Sequence, residues 1–193
     1  LIDGEEILKK LPEGNAIVYC EGAFGTTNGK TAHGLVRFTG RYNVMAVIDS
    51  GCAGRDSGEI LDGRTNGIPV TASFEEAFET AGEHGGLDYF VVGLAPEGGR
   101  LNPLARKDVK KALERGLNVD CGLHDFLSED FEMTELARKS GAVIRDVRKP
   151  PPADKLHFFS GKIEEVESFK TAILGTDSAV GKRTTAWLLV KAL

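Results

Sequence analysis

The chain alternates between short, mostly apolar runs and longer stretches in which apolar residues recur every three or four positions. The runs Ala16–Cys20 (AIVYC), Asn43–Asp49 (NVMAVID) and Tyr89–Val92 show little polar alternation and are bounded by glycine or polar residues, and the mixed run Leu117–Cys121 has a strand's length. Such runs predict strands buried on both faces. Shorter runs predict strands over Ile68–Thr71 and Ala142–Val147. Between them, helical spacing predicts helices over Lys30–Phe38, from Ser73 onward, from Asn102-Pro103 to near Arg115, and over Met133–Lys139. The punctuation agrees. Ser73 followed by Glu76 is a capping box, Asn102 before Pro103 is a helix start, and Gly116 and Gly141 stand where helices stop. A short helix over Ile7–Leu11 is ended by Pro12 and Gly14. Apolar strands alternating with helices predict an α/β fold: an open, mostly parallel, Rossmann-like sheet with right-handed crossovers. The pattern does not order the strands.

Pro150-Pro151-Pro152 cannot join a helix or a central strand and marks a linker. This predicts a Rossmann-like domain over residues 1–149, a linker over 150–152 and a second α/β unit from residue 153. In that unit the apolar runs predict strands at Leu156–Phe159 and Phe169–Leu174, then a helix from Lys182 to the end. The chain opens on Leu1 rather than Met and stops at Leu193 inside a helical pattern. With about forty residues after the prolines, too few to bury a core, it is expected to be a piece cut within its second domain. Such a piece is expected to fold through its first domain, bind nucleotide weakly and lack turnover.

Composition narrows the function. Among 193 residues, 24 Lys and Arg face 29 Asp and Glu, a formal net charge of -5. The basic residues are scattered, which argues against a general nucleic-acid binder and a polybasic membrane anchor. No apolar run nears the ~20 residues that span a bilayer. Three dispersed cysteines, Cys20, Cys52 and Cys121, and no signal peptide point to a reducing cytoplasm. The expected partner is a small molecule, and self-association is compatible with this surface.

The sharpest motif lies near the end. Ile173 and Leu174 lead into Gly175, Thr176, Asp177, Ser178, Ala179, Val180, Gly181, Lys182, Arg183, Thr184 and Thr185: an apolar run, a glycine-bounded loop and a helix start. A phosphate-binding loop needs this context, because glycines let backbone N–H groups turn onto an anion and the helix N-terminus adds positive charge. Lys182 would reach the terminal phosphates. Arg183 occupies the usual hydroxyl position, so Thr184 or Thr185 would ligate Mg²⁺ if MgATP binds. Five residues separate Gly175 from Gly181, where the common loop has four. This longer loop resembles those of dethiobiotin synthetase-like P-loop proteins.

Further stretches resemble a bacterial and archaeal family long catalogued as of unknown function. They are Val47-Ile48-Asp49, Val92 to Pro96 with Gly98-Gly99, Gly122-Leu123-His124, Asp146-Val147-Arg148 and Gly175 to Thr185. Members pair a Rossmann-like half with a P-loop half, and some are D-glutamate N-acetyltransferases that use acetyl-CoA. The resemblance implies a cofactor held through its phosphates, acetyl-CoA or ATP, and acetyl transfer to a D-amino acid. An ATP-dependent ligase and a non-enzymatic nucleotide-binding module are the alternatives.

Other candidates are weaker. The glycine-rich turn from Gly22 to Gly29 precedes a helix bearing Lys30, His33 and Arg37, and Asp49 ends the second strand where a dinucleotide fold keeps its ribose-binding acid. These would line a substrate pocket, against the alternative of a turn on a solvated helix. Arg55 and Arg64 sit in a long loop, Ser50 to Gly67, and would suit a carboxylate substrate through bidentate pairing. That loop reads equally as a substrate loop or a surface excursion. His124 with Asp125 would form an acid/base pair just beyond the strand that ends at Cys121. The charged face of Lys107 to Arg115 reads as solvated surface.

Overall fold

Six strands form one sheet in the computed structural model, which describes residues 12–82, 85–177 and 180–193. They are β1 (Gly14–Tyr19), β2 (Tyr42–Ile48), β3 (Val70–Thr71), β4 (Tyr89–Val92), β5 (Asn118–Cys121) and β6 (Ile144–Asp146). Every pairing is parallel, in the order β3-β2-β1-β4-β5-β6. The chain thus winds outward from β1 in one direction and then, from β4, in the other. This is the doubly wound Rossmann arrangement, with its reversal between β1 and β4. The expected helix over Ile7–Leu11 lies outside the described residues.

The helices are α1 (Lys30–Phe38), α2 (Ser57–Asp62), α3 (Phe74–Gly82), α4 (Pro103–Glu114), α5 (Phe131–Ser140) and α6 (Lys182–Ala192). The expected signals operate in the folded chain. Ser73 Oγ accepts from Glu76 N at 3.2 Å, and the Glu76 carboxylate reaches back to Ala72 N at 2.8 Å. Asn102 Oδ1 caps α4 by accepting from Ala105 N at 2.8 Å. Helix α2 corrects the reading of residues 50–67 as plain loop. Asp56 organises it: its carboxylate accepts from the N–H groups of Gly58, Glu59, Asn66 and Gly67. Burial alone would raise the Asp56 pKa, but these four donors together hold it below the ordinary carboxylate value.

Right-handed crossovers set α1 and α2 on one face of the sheet and α3, α4 and α5 on the other. Side-chain contacts agree. The Phe90 ring stacks against Tyr19 at 5.6 Å and Phe74 at 5.9 Å on the second face. On the first face Gly93, just past β4, is enclosed by Val18 of β1 and Ala32 of α1. A Cβ there would stand 2.7 Å from Val18 Cγ1, 2.8 Å from Ala32 Cβ and 3.0 Å from the Tyr19 carbonyl. None of these can swing aside. Gly93→Ala is therefore expected to cost about 2 kcal/mol, seen as a fall of roughly 4–8 °C in the thermal midpoint by circular dichroism.

Over β4, β5 and β6 the first face carries side chains instead of a helix. Tyr42 reaches across from β2, past Ala16 and Val91, to the carboxylate of Asp120, which is 2% exposed. Arg145 Nε donates to Asp120 Oδ1 at 2.7 Å, and its NH1 to Glu13 at 2.9 Å. Glu13 also accepts from Arg41 at 2.8 Å. A polar network on this half of the face explains why Asp120 and Arg145 stand on these strands.

The chain divides into two units, Leu1–Pro150 and Pro151–Leu193. In the second, the strands expected at Leu156–Phe159 and Phe169–Leu174 do not form. A strand exists through its ladder, and among the described residues neither run pairs with another stretch. Phe158, Phe159, Phe169 and Leu174 are accordingly exposed. The helix expected from Lys182 is present as α6.

Candidate functional site

Ligands of doubly wound sheets collect outside the carboxyl ends of the strands, at the point where the strand order reverses. In this chain the loops after β1 and β4 are joined there by their own backbones. Gly93 N donates to Tyr19 O at 2.8 Å, Ala32 N of α1 to Gly93 O at 3.1 Å and Ala95 N to Asn28 O at 2.8 Å. The first turn of α1 is thus committed in part to the β4 loop. In a dinucleotide fold it would face a pyrophosphate.

The acid at the end of β2 is also committed. Asp49, 2% exposed, accepts from Ala23 N at 3.1 Å and Phe24 N at 2.7 Å through one oxygen, and from Gly51 N at 2.9 Å through the other. It clamps the β1 loop. His33 serves the same loop: its Nε2 lies 2.7 Å from Phe24 O and must donate there, since a carbonyl only accepts. Its ring also meets Phe24 edge-on at 5.4 Å. Lys30 is exposed at the start of α1. Arg37, seven residues and roughly 10 Å farther along the helix, forks onto Asp62 of α2 at 2.7 Å and donates to Leu61 O. Arg55 and Arg64 are exposed on the α2 segment. The expected substrate group is therefore dispersed: Asp49 and His33 hold the β1 loop, Arg37 holds two helices together, and Lys30, Arg55 and Arg64 face solvent.

His124 and Asp125 follow β5. Asp125 Oδ2 accepts from Leu101 N at 2.9 Å, and His124 N donates to Gly99 O at 2.7 Å, so the pair ties the β5 loop to the β4 loop. Among the described residues no hydrogen bond joins the His124 ring to the Asp125 carboxylate. The acid/base pair expected from their adjacency is not assembled, because neighbours in sequence here point at different partners. Burial pushes the Cys20 thiol up to about 12 and the Cys121 thiol up to about 11, so neither is a ready nucleophile.

A cavity of about 250 Å³ opens at the same edge on the opposite face. Tyr19 and Ile48, the last residues of β1 and β2, form its floor, and α3 and α4 its walls. None of the binding or catalytic candidates named from the sequence lines it. Its α4 wall consists of Leu104, Lys107, Asp108 and Lys111, one stripe at helical spacing. The helix face read as plain solvated charge is thus partly a cavity wall. The signal was available, since α4 begins at the carboxyl edge of the sheet, where binding residues gather.

In the second unit, Gly181 takes a left-handed φ of 88° and α6 starts at Lys182. The Lys182 ammonium folds back onto the Asp177 carbonyl. A Cβ on Gly175 would meet Val180 Cγ2 at 2.8 Å and Lys182 Cγ at 3.0 Å, so the loop closes tightly over its lysine. Ser178 and Ala179 lie outside the described residues. Arg183, Thr184 and Thr185 are on the first turn of α6.

Residues 50–150 match a protein family described as "Domain of unknown function (DUF1611_N) Rossmann-like domain". The chain belongs to this family. A crystal structure of a DUF1611 family protein from Anabaena variabilis superposes with a TM-score of 0.81 at 31% identity, covering 92% of this chain and 49% of that one. Two curated relatives are named D-glutamate N-acetyltransferase. The protein from Pseudoalteromonas sp is 31% identical over 128 residues, 66% of this chain and 37% of its own length. That from Tritonibacter scottomollicae is 32% identical over 105 residues, 52% of this chain and 29% of its own length. The chain thus spans about a third of the curated relatives it matches. Among the described residues of this DUF1611 chain, no helix is long and apolar enough to cross a membrane.

Proposed function

We propose that the chain belongs to an N-acetyltransferase that acetylates the amine of a small amino acid such as D-glutamate, with acetyl-CoA as donor. The observation that carries this reading is the 31% and 32% identity to the two relatives of that name. When bound, acetyl-CoA supplies an acetyl group activated as a thioester. The residues that would hold its phosphates are Gly175 to Thr185. Their arrangement suits an anion, since the loop is closed around Lys182, Gly175 leaves no room for a side chain, and α6 opens directly beyond it. The Lys182 ammonium rests on a neutral carbonyl, which a phosphate oxygen would outcompete by charge. Thr184 would serve as an Mg²⁺ ligand only with MgATP, and phosphate binding of CoA needs no metal. The acceptor ammonium must lose a proton before its nitrogen can attack.

Calorimetric titration with acetyl-CoA and with ATP, each with and without Mg²⁺, tests the cofactor. Metal-independent acetyl-CoA binding is expected, weakened at least about tenfold in Lys182→Ala, the scale of one charge-assisted contact. Mg²⁺-dependent ATP binding with no response to acetyl-CoA would replace this reading with a ligase. Tight nucleotide binding by the whole protein, without turnover of ATP or any acyl donor, would replace it with a binding module.

A further inference from the structure

The loop around Lys182 departs from the common phosphate-binding pattern at Arg183, and the structure keeps that departure in place. Directly after the lysine of such a loop, a Ser or Thr hydroxyl ordinarily ligates the Mg²⁺ that accompanies the phosphates. In this chain a hydroxyl could regain that position only if the start of the helix slipped by one residue, through a bulge or a looser first turn. It does not slip. Gly181 is the N-cap, Lys182 is the first helical residue, and Thr185 N donates to Gly181 O at 2.9 Å. That is the bond to the fourth residue back that closes a regular first turn.

Side-chain directions follow from this turn. Successive residues of an α-helix are rotated by roughly 100°. Arg183 therefore holds the direction beside Lys182 that the metal-binding hydroxyl would occupy. Thr184 is turned about 100° beyond it, and Thr185 about 200° beyond it and ~3 Å farther along the axis. Lys182 is itself directed back over the loop, with its ammonium on the Asp177 carbonyl. Arg183 is exposed and enters no ion pair among the described residues, so its guanidinium is open to a ligand.

The donor set at the head of α6 thus does not fit Mg²⁺. A guanidinium has no lone pair to give a metal, and its charge repels one. It offers instead a fork of N–H groups that matches two phosphate oxygens. Lys182 and Arg183 together place two positive charges there, and the helix N-terminus adds to them. We propose that Arg183 takes the place of the metal, so that this loop binds a diphosphate free of Mg²⁺ and discriminates against its Mg²⁺ complex. The inference rests on the reading of Gly175 to Thr185 as a phosphate loop and names the residue that selects the metal-free form. The diphosphates of CoA and of ADP share this chemistry.

Calorimetry on the whole protein with CoA, ADP and inorganic pyrophosphate, each in EDTA and in excess Mg²⁺, tests it. All three are expected to bind in EDTA. Mg²⁺ should weaken ADP and pyrophosphate about tenfold and CoA less, because a diphosphate diester holds the metal more loosely. Arg183→Ala is expected to weaken all three about tenfold in EDTA, the scale of one bidentate charged contact. Arg183→Thr should reverse the sign of the metal effect, so that ADP binds more tightly with Mg²⁺ than without, an outcome a merely structural arginine would not produce. Both variants should keep the parent's thermal midpoint, since the side chain is exposed. Tighter ADP binding with Mg²⁺ in the parent, or equal affinities in the parent and Arg183→Ala, overturns the inference. If Lys182→Ala abolishes binding in that case, the phosphate-loop reading stands. No binding of any of the three overturns both. Metal-free binding of ADP and pyrophosphate through Arg183, with none of CoA or acetyl-CoA, keeps the inference and removes the acetyl donor.

Discussion

Asp120→Ala is expected to destabilise the fold by about 3–4 kcal/mol, the cost of breaking a buried ion pair from one side. The carboxylate is 2% exposed and receives the Tyr42 hydroxyl and two nitrogens of Arg145. Without it, the Tyr42 hydroxyl keeps only Arg145, at 3.3 Å. Arg145 keeps Glu13, so part of its charge stays compensated, which sets the estimate at the lower end of the range. The thermal midpoint should fall by roughly 10 °C. Glu13→Gln, which removes a more exposed partner, should cost about 1 kcal/mol or less. Equal losses in the two variants, measured by urea unfolding, would mean that the network is not centred on Asp120.

Asp49→Ala is expected to cost about 2 kcal/mol, because the Phe24 N–H would be left buried and unpaired while Ala23 N keeps only the Cys20 carbonyl, at 3.0 Å. Asn should rescue only part of this, since its amide NH₂ must face one of the same donors. A ribose-binding acid would behave differently, as its removal would spare stability and abolish nucleotide affinity. An Asp49→Ala chain with an unchanged unfolding midpoint would return Asp49 to the ligand-binding role. A lowered midpoint, with faster amide exchange confined to residues 21–29, would identify it as the clamp of the β1 loop.

Reading from the sequence succeeds where the signal is local. The helix over Lys30–Phe38 and the strand over Tyr89–Val92 have the expected bounds, because an apolar period and its flanking caps act within one element. Helix α2 escaped although Asp56 is a standard cap, since its six residues are too few to display a period. The expected strand over Phe169–Leu174 failed for the opposite reason. Apolar β-forming residues make a strand only beside another strand, and composition cannot report whether one is present.

The site residues show the same division. Asp49, His33, Arg37, His124 and Asp125 carry groups able to bind or catalyse, and nothing local shows that Asp49 faces Phe24 N or that Arg37 faces Asp62. Tyr19 looked like one more apolar residue of a buried strand. The sequence by itself determined the class of the fold, nearly every element of its first unit, and the glycine-bounded loop around Lys182. These follow from periodicity and backbone preference, which act over a few residues. Only the tertiary structure decided the strand order, the partners of each polar side chain and the cavity over Tyr19. Residues 19, 75 and 107 meet there because three parallel crossovers return the chain to one edge of the sheet, and no segment alone encodes that meeting.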